Sequence, residues 1–178
     1  PPTLPKSPDF VLIPDGVRDP GNLGTLLRSA AAAGVQAALL PPGTADAYAP
    51  KVLRAAMGAH FHLAVQALDW PPIQQYLHTP ERSLQVYLAD ADQGLPYTQA
   101  DLRQPLALIV GGEAEGAGDQ AALLADSRLQ IPMPGGVESL NAAVAAAVLM
   151  FEVVRQRNFA QSGSHEVHNG DTKNTTGF

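Results

Sequence analysis

Two kinds of segment alternate along this chain, and that alternation limits its possible folds more than any other feature. Short, mainly apolar runs read as strands: "FVLIP" (10–14), "VQAALL" (35–40), "FHLAVQA" (61–67), "SLQVYLA" (83–89), "PLALIVGG" (105–112) and "RLQIPM" (128–133). Between and after them lie helical stretches. "GNLGTLLRSAAAAG" (21–34) stops on Gly34, "APKVLRAAMG" (49–58) stops on Gly58, and "PPIQQYLH" (71–78) opens on proline. "GDQAALLAD" (118–126) follows, and a long helix runs from Ser139 to Arg157. Strands without polar alternation are buried on both faces, and strands alternating with helices build a mostly parallel sheet covered on both sides. The expected architecture is one α/β domain over residues 8–158, with no internal repeat.

The two ends differ from this body. "PPTLPKSP" reads as an extended linker, because each proline fixes φ and disfavours helix before it. Residues 159–178 form a polar, turn-rich tail with a turn at Asn169-Gly170. The longest strongly apolar run, Ala142 to Phe151, is too short for a membrane span, which takes about 20 residues. No signal peptide is visible. The chain has no cysteine, so neither a disulfide framework nor a thiolate metal site is available. His60 and His62 would share one face of a strand, and none of the five histidines has the spacing of a zinc pair. The chain reads as a soluble cytoplasmic protein without a metal. Its net charge of −6 argues against a general nucleic-acid binder. Contact with RNA would need a local cluster of bases.

Three loops at strand ends carry the chemistry, where an open α/β sheet binds its ligands. In "PDGVRDPGNLGTLLRSA", Asp15, Gly16, Asp19, Pro20 and Gly21 make a tight turn, Asn22 caps the next helix, and Arg28, six residues and nearly two turns later, is expected to share the face of Asn22. Alone, this is more simply a capped surface helix with a solvated arginine. In "LIVGGEAEGAG", paired glycines at the tip of a buried strand allow close backbone approach to a ligand. No lysine follows, and Glu113 stands where a dinucleotide motif has its middle glycine. A roomy turn and a nucleotide-like ligand both fit it. In "IPMPGGVESLN", Pro132 and Pro134 stiffen the exit from a strand, Gly135 and Gly136 bend it, and Ser139 and Asn141 stand at the mouth of a buried helix. A helix cap explains Ser139 but not the prolines and glycines.

Taken together, Asn22…Arg28, Gly111-Gly112-Glu113-Ala114-Glu115-Gly116 and Ile131-Pro132-Met133…Ser139-Leu140-Asn141 resemble, in order, the motifs of the SpoU (TrmH-like) branch of the SPOUT RNA methyltransferases. "PKVLRAAMGAHFHL" is similar to that family's basic segment, and the match spans residues 8–158. The resemblance implies a C-terminal trefoil knot, a homodimer, and S-adenosylmethionine as cofactor. It implies methyl transfer to a ribose 2′-hydroxyl of RNA, rRNA before tRNA. By position, Gly111, Ile131 and Leu140, with Gly116 and Ala142, would contact the cofactor largely through backbone. Arg28 would be the catalytic residue, orienting the hydroxyl or stabilising its developing charge rather than losing a proton. Asn22, Glu113, Ser139 and Asn141 would complete the catalytic pocket. Lys51, Arg54 and Arg18 would meet RNA phosphates. The resemblance also allows an RNA-binding domain upstream of the linker.

Two positions depart from the pattern. Ala143 stands where the family often has a second serine, and Ala56 replaces a serine in the basic segment. A rival reading is a domain of the same fold that binds cofactor or RNA without turnover. The retention of Asn22, Arg28 and Glu113 together favours the enzyme.

Overall fold

β1 (Phe10–Asp15) is buried along its whole length, and its side chains alternate between two cores. The computed structural model describes residues 2–112 and 116–162, with side chains through Asn158. Glu113, the C-terminal residues 163–178 and the turn expected at Asn169-Gly170 lie outside the described residues. After β1 come α1 (Pro20–Ala32), β2 (Ala37–Leu40), α2 (Pro50–Ala56), β3 (Ala64–Ala67) and α3 (Trp70–Leu77). A small hairpin, β4 (His78–Thr79) and β5 (Arg82–Ser83), leads into β6 (Gln85–Asp90) and β7 (Leu95–Pro96). β8 (Leu106–Gly111), α4 (Asp119–Leu124), β9 (Ser127–Gln130) and α5 (Ala142–Ser162) complete the order.

Seven strands form one sheet in the order β3-β2-β1-β8-β6-β9-β7, and every pairing in it is parallel. Phe10 and Leu12 point to a core shared with Leu23, Leu26 and Leu27 of α1 and Leu149 and Met150 of α5. Val11 and Ile13 point to the other core, with Ile73 and Leu77 of α3 and Ala121 of α4. The two-sided burial expected from the apolar runs is therefore present, with α1, α2 and α5 on one face and α3 and α4 on the other. α1 and α2 touch at Gly24, where a Cβ would lie 2.4 Å from the Ala55 Cβ and 2.8 Å from the Val52 carbonyl.

Several expected boundaries shift, each for a local reason. The strand expected from Phe61 starts only at Ala64, because Met57 and Gly58 turn the chain at positive φ into a short 3₁₀ helix, Ala59–Phe61. His60 and His62 thus share no strand face: His60 is buried, its Nε2 2.9 Å from the Ala47 carbonyl. α5 begins at Ala142 rather than Ser139, because Asn141 caps it, its Oδ1 accepting the N–H groups of Ala143 (3.0 Å) and Val144 (3.2 Å). The same helix runs on to Ser162, beyond the expected end at Arg157. It is not buried all round, since Val144 is 49% exposed and Phe151 47%. The strand expected over 128–133 ends at Gln130. Residues 4–6 of the expected linker are held against the domain. Leu4 packs on the α3 side, the Tyr76 hydroxyl donates to the Pro5 carbonyl (2.8 Å), and Arg82 donates to the Lys6 carbonyl (2.9 Å).

Candidate active site

The direction of the sheet reverses between β1 and β8: β2 and β3 extend to one side, and β6 and β9 lie on the other. The crevice outside the carboxyl ends at such a switch point is where open α/β sheets bind ligands. Asp15 ends β1 directly opposite Gly111, which ends β8. The loops leaving these two strands build two adjoining cavities.

The larger cavity, about 450 Å³, lies over the ends of β8, β6 and β9. Gly111, Gly116, Ile131, Leu140 and Ala142, the five residues expected to touch a cofactor, all line it. Its other walls are largely apolar, from Leu88, Val110, Met133, Ala145 and Leu149. Its polar rim holds Asp90, which is ion-paired with Arg128 and accepts the N–H groups of Asp92 (2.9 Å) and Gln93 (3.0 Å). Burial pushes the Asp90 carboxyl upward, but these donors outweigh it and hold the group below the usual carboxylate range.

The smaller cavity, about 290 Å³, is lined by Asp15 to Asp19, Asn22, Pro42, Gly43, Gly112, Gly116, Gly118 and Ala142. Gly112, Gly116 and Ala142 belong to both cavities, so the glycine-rich loop is their common wall. The loop can serve as a thin wall because its glycines admit backbone where a side chain would not fit. A Cβ on Gly112 would lie 2.3 Å from the Gly16 carbonyl oxygen, and one on Gly111 would lie 2.3 Å from the Ala117 nitrogen. Gly116 bends back at φ +67° and donates its N–H to the Gly112 carbonyl (3.1 Å). On the β1 side, Thr44 Oγ1 accepts from Gly16 N (3.1 Å) and donates to the Pro14 carbonyl (2.7 Å), which fixes the turn.

The structure brings some expected catalytic residues together and leaves others apart. Asn141 Nδ2 donates to Asn22 Oδ1 at 3.1 Å across 119 residues of sequence, which joins the first and third loops. Asn22 does not cap α1 as expected. The cap is Asp19, whose Oδ1 accepts the Asn22 N–H at 2.8 Å, and the Asn22 side chain meets Asn141 instead. Ser139 lines the larger cavity. Arg28 lies on the exposed side of α1 and lines neither cavity. Of the expected RNA contacts, Arg18 lines the smaller cavity and Lys51 stands at its edge, 3.9 Å from Asp19. Arg54 is exposed in the last turn of α2. The motif reading gave Asp15 only a turn-forming role. Its side chain is 7% exposed in the smaller cavity, and Oδ2 accepts the Gly118 N–H at 2.7 Å. Its signal was available, since it is the first carboxylate after an unbroken apolar strand.

Among the described residues, no group of three or more His, Asp or Glu side chains could hold a metal ion, and no helix is long and apolar enough to cross a membrane.

Residues 9–151 match the model of the SpoU rRNA Methylase family. The chain is 46% identical over 145 residues to the 23S rRNA (guanosine(2553)-2'-O)-methyltransferase RlmP of Bacillus subtilis, covering 80% of this chain and 57% of that protein. It is 37% identical over 205 residues to human mitochondrial rRNA methyltransferase 3, covering 86% of this chain and 48% of that one. Among solved structures, the SpoU methyltransferase AviRb of Streptomyces viridochromogenes, in complex with AdoMet, superposes with a TM-score of 0.77 at 31% identity, covering 87% of this chain and 60% of that one. The chain thus spans about half the length of the curated relatives it matches.

Proposed function

The chain belongs to the SpoU rRNA Methylase family, and on that footing we propose that it transfers a methyl group from S-adenosylmethionine to a ribose 2′-hydroxyl of RNA, with rRNA as the substrate class. The observation that carries this reading is the pair of adjoining cavities. One is lined by all five expected cofactor residues, and the other holds Asn22, which is bonded to Asn141.

The larger cavity suits the cofactor chemically. Its apolar walls fit an adenine ring, and its glycine backbone presents no side chain to obstruct a long, narrow ligand. When bound, S-adenosylmethionine supplies a methyl group on a positively charged sulfur. The residues of the chain then have to hold and align a weak nucleophile. Asn22 and Asn141 position the ribose, Ser139 adds a hydroxyl at the rim, and Glu113 is given a positioning role by its place in the motif alone. Fixing the hydroxyl within van der Waals reach of the methyl group supplies much of the rate in such a transfer.

Arg28 is exposed and lines neither cavity of its own chain, and it has a role in a homodimer, where it serves the cavity of a second copy. The exposed Val144 and Phe151 on α5, which packs on α1, support such an interface. The trefoil knot is part of this reading, with α5 returning after β9 to lie beside β8. So is an RNA-binding part outside this chain, because a net charge of −6 gives little general attraction to phosphate.

The test is transfer of labelled methyl from S-adenosylmethionine to rRNA stripped of modification, followed by nucleoside analysis. A 2′-O-methylated nucleoside is expected. Calorimetry that finds no S-adenosylhomocysteine binding, or a methyl group found on a base, overturns the reading.

A further inference from the structure

Among the described residues, three polar side chains are buried: Asp15, His60 and Glu152. His60 is bonded to the Ala47 carbonyl, and Glu152 to Arg155 and Gln156. Of the three, only Asp15 faces one of the cavities described above. A carboxylate at the tip of a fully apolar strand is costly to bury and persists only where donors satisfy it.

The donor here is informative. Asp15 Oδ2 accepts the Gly118 N–H at 2.7 Å, and the Asp15 backbone carbonyl accepts the Gly112 N–H at 2.8 Å. One residue of β1 therefore grips both stems of the loop that leaves β8. The stems also touch each other, as shown by the 2.3 Å from a Gly111 Cβ to the Ala117 nitrogen. Gly118 is moreover the residue before α4, so the same bond sets where that helix begins. The loop so held is the wall shared by the two cavities.

We propose that Asp15 is a positioning residue for methyl transfer: its carboxylate ties the glycine loop to β1, so that the cofactor side and the ribose side of the loop stay in one fixed relation. This rests on the function proposed above. The backbone bond to Gly112 alone would let the loop pivot. The carboxylate bond to Gly118 removes that freedom. A pivot moves both walls at once, and a displacement of about 1 Å between reacting groups costs on the order of a hundredfold in rate.

The experiment compares Asp15→Ala, Asp15→Asn and the parent chain by calorimetry with S-adenosylhomocysteine and by methyl transfer across a range of pH. Asp15→Ala is expected to weaken cofactor binding about ten- to hundredfold, the range for losing a hydrogen bond to a charged group. Asp15→Asn keeps an oxygen to accept from Gly118, so it is expected to recover most of that loss, with an unchanged pH profile. Gly118→Pro is the second variant, should Asp15→Ala not fold. Gly118 sits at φ −75°, which proline adopts; the exchange removes the N–H and sets the ring Cδ against the Asp15 carboxylate, so the tie is lost. Its cofactor binding should fall as in Asp15→Ala. Parental affinity in either folded variant overturns the proposal. So does an Asp15→Asn variant that binds cofactor normally but turns over a hundredfold more slowly, because that pattern makes Asp15 a proton acceptor instead. A parent chain that binds no S-adenosylhomocysteine overturns the function reading as well; the variant results with a binding parent bear on this inference alone.

Discussion

Gly112→Ala tests whether the glycine loop is the wall on which both cavities depend. The added Cβ would sit 2.3 Å from the Gly16 carbonyl oxygen, and ordinary contact begins near 3.4 Å. The loop and the β1 turn must therefore separate by about 1 Å, and the neighbour is backbone, which cannot rotate away. Overpacking of this kind costs about 1–3 kcal/mol. Separation also stretches the bond from Gly112 N to the Asp15 carbonyl, now 2.8 Å, worth about 1 kcal/mol. The total is about 2–4 kcal/mol. Where it is felt depends on which part gives way. β1 is locked by its buried side chains and by Thr44, whereas the loop is a surface connection. The loop moves, and the cost falls on the ligand that must pull it back.

At about 1.4 kcal/mol per factor of ten, cofactor affinity should weaken by about 30-fold to several hundredfold. Calorimetric titration with S-adenosylhomocysteine measures it directly, with circular dichroism to confirm that the sheet is intact. Gly135→Ala is the control: it lies in the third loop, has no atom within 4 Å of its Cβ position, and is not at positive φ. An affinity for Gly112→Ala within about threefold of the control would refute the reasoning, because the loop would then accommodate a methyl group without moving the cavity wall.

Three further outcomes follow from the same geometry. Arg28→Ala should abolish methyl transfer while leaving S-adenosylhomocysteine affinity within a few-fold, since Arg28 lines neither of the two cavities; near-parental turnover on good RNA would remove it from the catalytic set. Val144→Asp with Phe151→Asp should convert a dimer to a monomer by light scattering at micromolar concentration, because the two lie two turns apart on one side of α5, about half exposed; a parent chain already monomeric and active would end the dimer reading. Arg155 holds the Glu152 carboxyl below its usual range, against an upward push from burial and with help from Gln156. Its stabilising effect should therefore be complete above the ordinary glutamate value and disappear as pH falls through the lowered folded value. Glu152→Gln should melt lower than the parent at neutral pH and converge with it in acid, and a constant gap down to acid pH would contradict the assignment.

The sheet was legible because burial on both faces leaves a simple trace: no polar residue interrupts the runs that became β1 and β8. The short strand Leu95–Pro96 at the far edge and the hairpin at 78–83 were not legible, since two-residue strands carry no period. The start of β3 was misread because Met57 adopts a left-handed conformation that its residue type gives no reason to expect. The five residues expected at a cofactor all line one cavity, and part of that grouping has a chemical reason. Gly111, Gly116 and Ile131, which precedes Pro132, lie where backbone must be exposed or bent, and those residue types are visible in a string of letters; Leu140 and Ala142 carry no such mark. The pairing of Asn22 with Asn141 was half legible: both lay in recognised loops, but the distance between them depends on the crossing of α1 and α5.

Arg28 shows where a linear reading ends. An α-helix turns about 100° per residue, so six residues carry Arg28 roughly 120° around α1 from Asn22, not onto the same face. The structure agrees: Asn22 lines the smaller cavity, and Arg28 is exposed. The homodimer proposed above reconciles its motif position with its geometry by giving Arg28 the cavity of a second copy. Periodicity compares residues along one chain and carries no information about a second copy of it. A side chain assigned to catalysis by motif and solvent-facing by helical phase is therefore where the proposed dimer is best tested. The same proposal gives the exposed Val144 and Phe151, on the helix that packs against α1, a surface to meet: that of the second copy.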